Sequence, residues 1–208
     1  MTRPLPPAGD FTDPPSAWNV ANALTVLRLF LVPVFLLLLM HDRGDDAGWR
    51  IGAWATFAVA SATDRVDGEL ARRRGLVTDF GKIADPIADK ALTGAALVGL
   101  SVLGELWWWV TVLVLVREIG ITLLRFFVIR HGVMPASRGG KVKTLLQGVA
   151  IGLFVLPLPG FLHGITVAVM VAAVVVTLVT GVDYVMRAVR LRRTSERAAM
   201  KRARRLRQ

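Results

Sequence analysis

The stretch ANALTVLRLFLVPVFLLLLM, Ala21–Met40, carries a single charged side chain, Arg28. At about 20 residues it matches the hydrocarbon core of a bilayer when helical. In lipid, backbone donors and acceptors must be satisfied within the protein, so a single apolar run of this kind crosses as an α-helix. Comparable runs follow, and the predicted spans are Asn22–Met40, Ile51–Ala71, Ile83–Leu103, Leu106–Ile129, Thr144–Leu158 and Leu162–Met186. The fifth is short and ends in LPLPG, where proline and glycine mark a turn. The expected fold is all-α, a polytopic integral membrane protein with six transmembrane helices. With 208 residues, 54% of them hydrophobic, one membrane domain is the economical reading.

The expected organisation is a Pro-rich, irregular leader at 1–16, a six-helix domain at 17–187 and a basic tail at 188–208. The first apolar run is read as a retained helix and not as a signal peptide, because HDRGDD follows it instead of a small-residue cleavage site. The chain has no cysteine, which excludes disulfides, thiolate metal sites and cysteine nucleophiles.

The net charge of +11 is concentrated beside the apolar spans and in the tail, a membrane pattern more than a nucleic-acid one, so no nucleic-acid partner is expected. Arg72, Arg73, Arg74 and Lys82 follow the second span, and Arg130, Arg138, Lys141 and Lys143 follow the fourth. LGEL and PLPGFLHG contain no Lys or Arg. The bias toward cytoplasmic Lys and Arg predicts both termini inside, in the cytoplasmic membrane, with Trp107, Trp108 and Trp109 at the outer interface.

On that cytoplasmic side lies an unusual concentration of carboxylates. Asp64 and Asp67 are spaced i, i+3 at the end of the second span, and Gly68, Ala71 and Arg72 continue their face. Asp85 and Asp89, at i, i+4, open the third. Antiparallel neighbours would bring the two pairs together, and such crowding calls for protons or cations. Hard oxygen donors without His or Cys favour Mg²⁺ or Mn²⁺, and several carboxylates can hold two ions suited to displacement at phosphorus. The simpler alternative is a set of solvated helix-end acids paired with Arg65, Arg72–Arg74, Lys82 and Lys90. DRVDGEL is not an EF-hand loop, because it lacks that loop's alternating ligands.

The segment DRVDGELARRRGLVTDFGKIADPIAD fits D-x-x-D-G-x-x-A-R-(x)8-G-x-x-x-D-x-x-x-D without a gap, and so resembles the CDP-alcohol phosphatidyltransferase family. Chance agreement at its fixed positions is on the order of 10⁻⁸ for average residue usage. The resemblance implies a six-helix, homodimeric membrane enzyme that displaces CMP from a CDP-linked substrate using divalent metal. It implies that Asp64, Asp67 and Asp85 bind metal, with Asp89 touching the metal centre and acting as general base. Gly68, Ala71, Arg72, Thr78 and Gly81 would handle the CDP-lipid. Asn22, Thr25 and Arg28, opening the first helix, are further candidates to face the nucleotide, although capping and headgroup contact explain them nearly as well.

NALTVLRLFLVPVFLLLL, FGKIADPIADKAL and REIGITLLRFFVIRHGVMPASRGGKVKTLLQ extend the likeness to the branch of that family using sn-glycerol 3-phosphate, although Ala21 stands where the branch usually has proline. The implied reaction joins the phosphatidyl group of CDP-diacylglycerol to that acceptor, giving phosphatidylglycerol phosphate and CMP among membrane lipids. Inositol phosphate and phosphatidylglycerol are the alternative acceptors. Candidate acceptor-phosphate ligands are Arg117, Arg125, Lys141 and Lys143; for the arginines, pairing with Glu118 or snorkelling competes with that role. A small transporter or cation channel is disfavoured, because the acids gather at one face and no inverted repeat is evident.

Overall fold

The structure, a computed structural model, describes the backbone of residues 20–74, 78–128 and 138–205. Side chains are described within these ranges except at 21, 64–74, 79–83, 125–128, 138 and 192–205. The leader expected at 1–16 lies outside the described residues.

The described residues form six α-helices: α1 Val20–Met40, α2 Ala47–Arg74, α3 Asp79–Val102, α4 Trp108–Val128, α5 Arg138–Val155 and α6 His163–Arg205. Short 3₁₀ turns at His41–Gly44 and Gly160–Leu162 join α1 to α2 and precede α6. No strand occurs among the described residues. Each expected span falls largely on one helix. α5 begins at Arg138, ahead of the expected Thr144, because a helix can extend beyond lipid wherever its polar residues reach water. α6 continues unbroken to Arg205, so the expected division at 187 falls inside it. The segment RAVRLRRTSERAAMKRARR contains neither Gly nor Pro and is rich in helix formers, so nothing local ends the helix.

Contacts along the helices fix their directions. Phe35 meets Phe57 at a ring-centroid distance of 5.8 Å, and Gly52 faces Leu38, so α2 runs antiparallel to α1. A Cβ at Gly99 would lie 2.9 Å from Leu39, and with Thr25 meeting Asp85 this sets α3 parallel to α1 in close approach. Thr111 shares a 2.7 Å hydrogen bond with Ser101 and donates to the Leu97 carbonyl at 3.2 Å, which turns α4 back along α3. The core joins Phe35, Leu39, Phe57, Leu97, Val110 and Ile151.

Outside this core the usual polarity is reversed. Phe30, Leu37, Val116, Val175 and Val179 are exposed, whereas Asn22, Thr25, Arg28, Lys143 and Gln147 are buried. Exposed apolar surface of this extent suits a hydrocarbon surrounding. Among the described residues, Asn22–Gly44 and Gly160–Leu191 are long and apolar enough to cross a membrane. α3 contains Pro86 between Asp85 and Asp89. Its missing N–H is tolerated in membrane helices where neighbours satisfy the freed carbonyl.

The end of the bundle away from the acids is closed by one buried arginine. Arg50 donates to the carbonyls of Phe154 at 2.6 Å and Val155 at 3.1 Å, and pairs with Glu105 at 2.7 Å. It thereby ties α2, the last carbonyls of α5 and the α3–α4 turn together. Beside it Gly44 takes φ +82° after Asp42 and Arg43, both also left-handed, so this sharp reversal needs a residue without a side chain.

Candidate active site

Asn22, Thr25 and Arg28 stand at i, i+3 and i+6, which places them along one face of α1. That face meets the start of α3. The Thr78 hydroxyl donates to Asn22 Oδ1 at 2.9 Å, and the Thr25 hydroxyl donates to Asp85 Oδ1. Arg28, fully buried, lines a cavity of about 190 Å³ together with Asp89. Two parallel helices therefore present a sequence of polar contacts leading inward from Thr78 to the cavity.

Lys90 of α3, Glu118 of α4, and Lys143 and Gln147 of α5 also line this cavity. Glu118 is its organising acid. It accepts from Lys143 Nζ at 2.5 Å and from Arg117 at 2.8 Å, and Lys90 Nζ lies 4.0 Å from its other oxygen. Lys143 is only 6% exposed, so without this carboxylate its desolvation would be unfavourable. The result is a small chamber where three cationic groups, Arg28, Lys90 and Lys143, face two acids.

The structure sorts the acceptor candidates. Lys143 reaches the cavity wall. Arg117 does not line it, although Glu118 beside it does: successive helical positions differ by about 100°, so Arg117 points to α6. There it donates to the Thr177 carbonyl at 3.2 Å and the Thr180 hydroxyl at 2.9 Å. Lys141 is exposed and does not line the cavity. The Arg125 side chain lies outside the described residues, as do those of Asp64, Asp67, Ala71 and Arg72 and the surroundings of Gly68 and Gly81; all of these positions have helical backbone. Asp183 pairs with Arg187 at 2.9 Å, and His163 stands exposed at the far end, edge-on to Phe154.

Lys90, which the simpler alternative pairs with the aspartates, approaches Glu118, and Gln147 is not singled out by its sequence context. Neither stands out in the sequence, because the cavity is assembled from five helices, α1 to α5. The Gly-Gly-Lys-x-Lys start of α5, with Lys143 and Gln147 one turn apart, is the pattern that could have found the latter.

A second, apolar groove of about 280 Å³ lies between α2 and α5, lined by Trp54, Leu145, Val149 and Leu153. Phe57, Ser61 and Gly148 belong to both spaces, so the groove adjoins the polar cavity.

Residues 18–179 match the family model described as CDP-alcohol phosphatidyltransferase. The chain belongs to that family. A Mycobacterium tuberculosis protein named "Probable phosphatidylglycerophosphate synthase" is 62% identical over 172 residues, covering 83% of this chain and 82% of the relative. Proteins named "CDP-diacylglycerol--glycerol-3-phosphate 3-phosphatidyltransferase" are 34% identical in Bacillus subtilis, over 67% of this chain and 77% of that relative, and 35% identical in Rickettsia typhi, over 80% and 94%.

CDP-alcohol phosphatidyltransferases are generally dependent on divalent metal, and the donor chemistry here fits that requirement. Asp85 uses one carboxylate oxygen as acceptor from Thr25, which orients the group. Asp89 lies one turn further along the same helix. Carboxylate and hydroxyl oxygens without His or Cys are the donors of a hard cation. Among the described residues no three metal-ligating side chains cluster, and the side chains of Asp64 and Asp67 lie outside them.

Proposed function

We propose that this phosphatidyltransferase joins the phosphatidyl group of CDP-diacylglycerol to sn-glycerol 3-phosphate, forming phosphatidylglycerol phosphate and releasing CMP. The observation carrying this reading is the single cavity in which Asp89 shares its walls with Lys143, Lys90 and Arg28. A phosphorylated acceptor needs cations beside a base, and these groups supply both. The printed names of the M. tuberculosis and B. subtilis relatives point to the same acceptor.

In the proposed reaction Asp64, Asp67, Asp85 and Asp89 hold two Mg²⁺ or Mn²⁺ ions, with Thr25 steadying Asp85. When bound, those ions neutralise pyrophosphate charge and polarise the phosphorus under attack. Lys143, aided by Lys90 and Arg28, receives the acceptor's phosphate. Asp89 takes the proton from the primary hydroxyl as its oxygen bonds to phosphorus. The bond from that phosphorus to the CMP oxygen breaks, and Arg72 stabilises the departing nucleotide's charge. Gly68 leaves room for the nucleotide; Asn22, Ala71, Thr78 and Gly81 border it. Glu118 touches no substrate in this scheme and serves as a positioning residue for Lys143.

The same reading makes the protein a six-span homodimer of the cytoplasmic membrane, with both termini and the reacting centre on the cytoplasmic side. Water-soluble acceptor and CMP then exchange with the cytosol while the diacyl tails stay in lipid, next to the α2–α5 groove.

Purified protein given CDP-diacylglycerol and Mg²⁺ or Mn²⁺ is expected to release CMP when glycerol 3-phosphate is added. Stimulation by inositol phosphate or phosphatidylglycerol in place of glycerol 3-phosphate would move the protein to another acceptor and leave the transfer chemistry standing.

A further inference from the structure

A side chain on the cavity wall carries a buried acceptor that no described residue answers. Gln147 is 4% exposed, and its Oε1 is fully enclosed with no hydrogen-bond partner among the described residues. Such an acceptor is disfavoured in a folded protein unless something else donates to it. Its position indicates what that donor is. Gln147 lines the same cavity as Asp89 and stands one helical turn from Lys143 on α5.

We infer that Gln147 accepts a hydrogen bond from the secondary hydroxyl of the acceptor and so sets acceptor specificity. The inference rests on the proposed reaction. Glycerol 3-phosphate brings a phosphate, which well above its second pKa has no proton to donate, and a primary hydroxyl whose proton goes to Asp89. The secondary hydroxyl between them is the remaining donor. With the phosphate on Lys143 and the nucleophilic oxygen at Asp89, Gln147, on the same cavity wall and one turn from Lys143, is the side chain offered to the middle carbon. Lys143 then selects for charge, and Gln147 selects for the hydroxyl.

The test compares glycerol 3-phosphate with 3-hydroxypropyl phosphate, which keeps the phosphate and the primary hydroxyl and lacks the secondary one. In the full-length wild-type enzyme, kcat/KM should favour glycerol 3-phosphate by about tenfold to a hundredfold, the range for an unanswered buried polar group. In Gln147→Met, similar in volume and without the acceptor, the preference should fall to within about twofold. The loss should appear on glycerol 3-phosphate alone, with KM for CDP-diacylglycerol unchanged. Gln147→Asn retracts the amide by one methylene and should also narrow the preference, which covers failure of the methionine variant to fold. Equal losses on both acceptors, or an unchanged preference in either folded variant, would overturn the role of Gln147 alone. If neither acceptor stimulated CMP release by the wild type, the acceptor assignment and this inference would fall together.

Discussion

The bundle buries cationic side chains at both ends, and the two ends treat them differently. At the far end, Arg50 is answered by the protein itself, through the carbonyls of Phe154 and Val155 and the carboxylate of Glu105. At the acid end, Lys143 and Lys90 gather round Glu118, yet the groups face a cavity of about 190 Å³, and Gln147 Oε1 has no partner among the described residues. A closed cluster contributes to stability. An open one, left short of a partner, is arranged for something that arrives.

Substitutions should separate the two ends. The largest effect is expected from Asp89→Asn, which keeps the size of the side chain and removes the proposed base. Turnover should fall by about 10²–10⁴-fold, read as CMP release, while the thermal transition stays near that of the wild type. Next, Lys143→Met should raise KM for glycerol 3-phosphate by about tenfold to a hundredfold, the equivalent of one charge-assisted hydrogen bond, with KM for CDP-diacylglycerol little changed. The smallest catalytic effect is expected at the far end: Arg50→Met should leave kcat/KM within about twofold while lowering stability by about 1–3 kcal/mol, since buried carbonyls lose their donor. Denaturation in detergent reads the second quantity. A strong catalytic loss in Arg50→Met with unaltered stability would erase the distinction.

The helices were legible because apolar runs near bilayer length admit only one backbone solution, and Asp85 and Asp89 were legible because their spacing sets them on one face. The cavity was less so. That Glu118 faces the chamber while Arg117 turns to Thr177 and Thr180 depends on how α4 is rotated, and rotation is decided by packing against α3, α5 and α6. Thr25 was visible as a polar residue opening a helix, but its role as donor to Asp85 depends on residues 60 positions apart meeting. Gln147 is one amide among polar residues of α5 until its burial and its unanswered oxygen are known.

Acids from α2 and α3 are proposed to serve one metal centre. Mn²⁺ titration of the purified protein, followed by electron paramagnetic resonance, tests it through Asp67→Asn, Asp89→Asn and the double variant. Each single change is expected to weaken binding of the same ions, and the double change to cost less than the two losses added, as for ligands of a shared site. Full Mn²⁺ affinity in either single variant, or strictly additive losses, would contradict it.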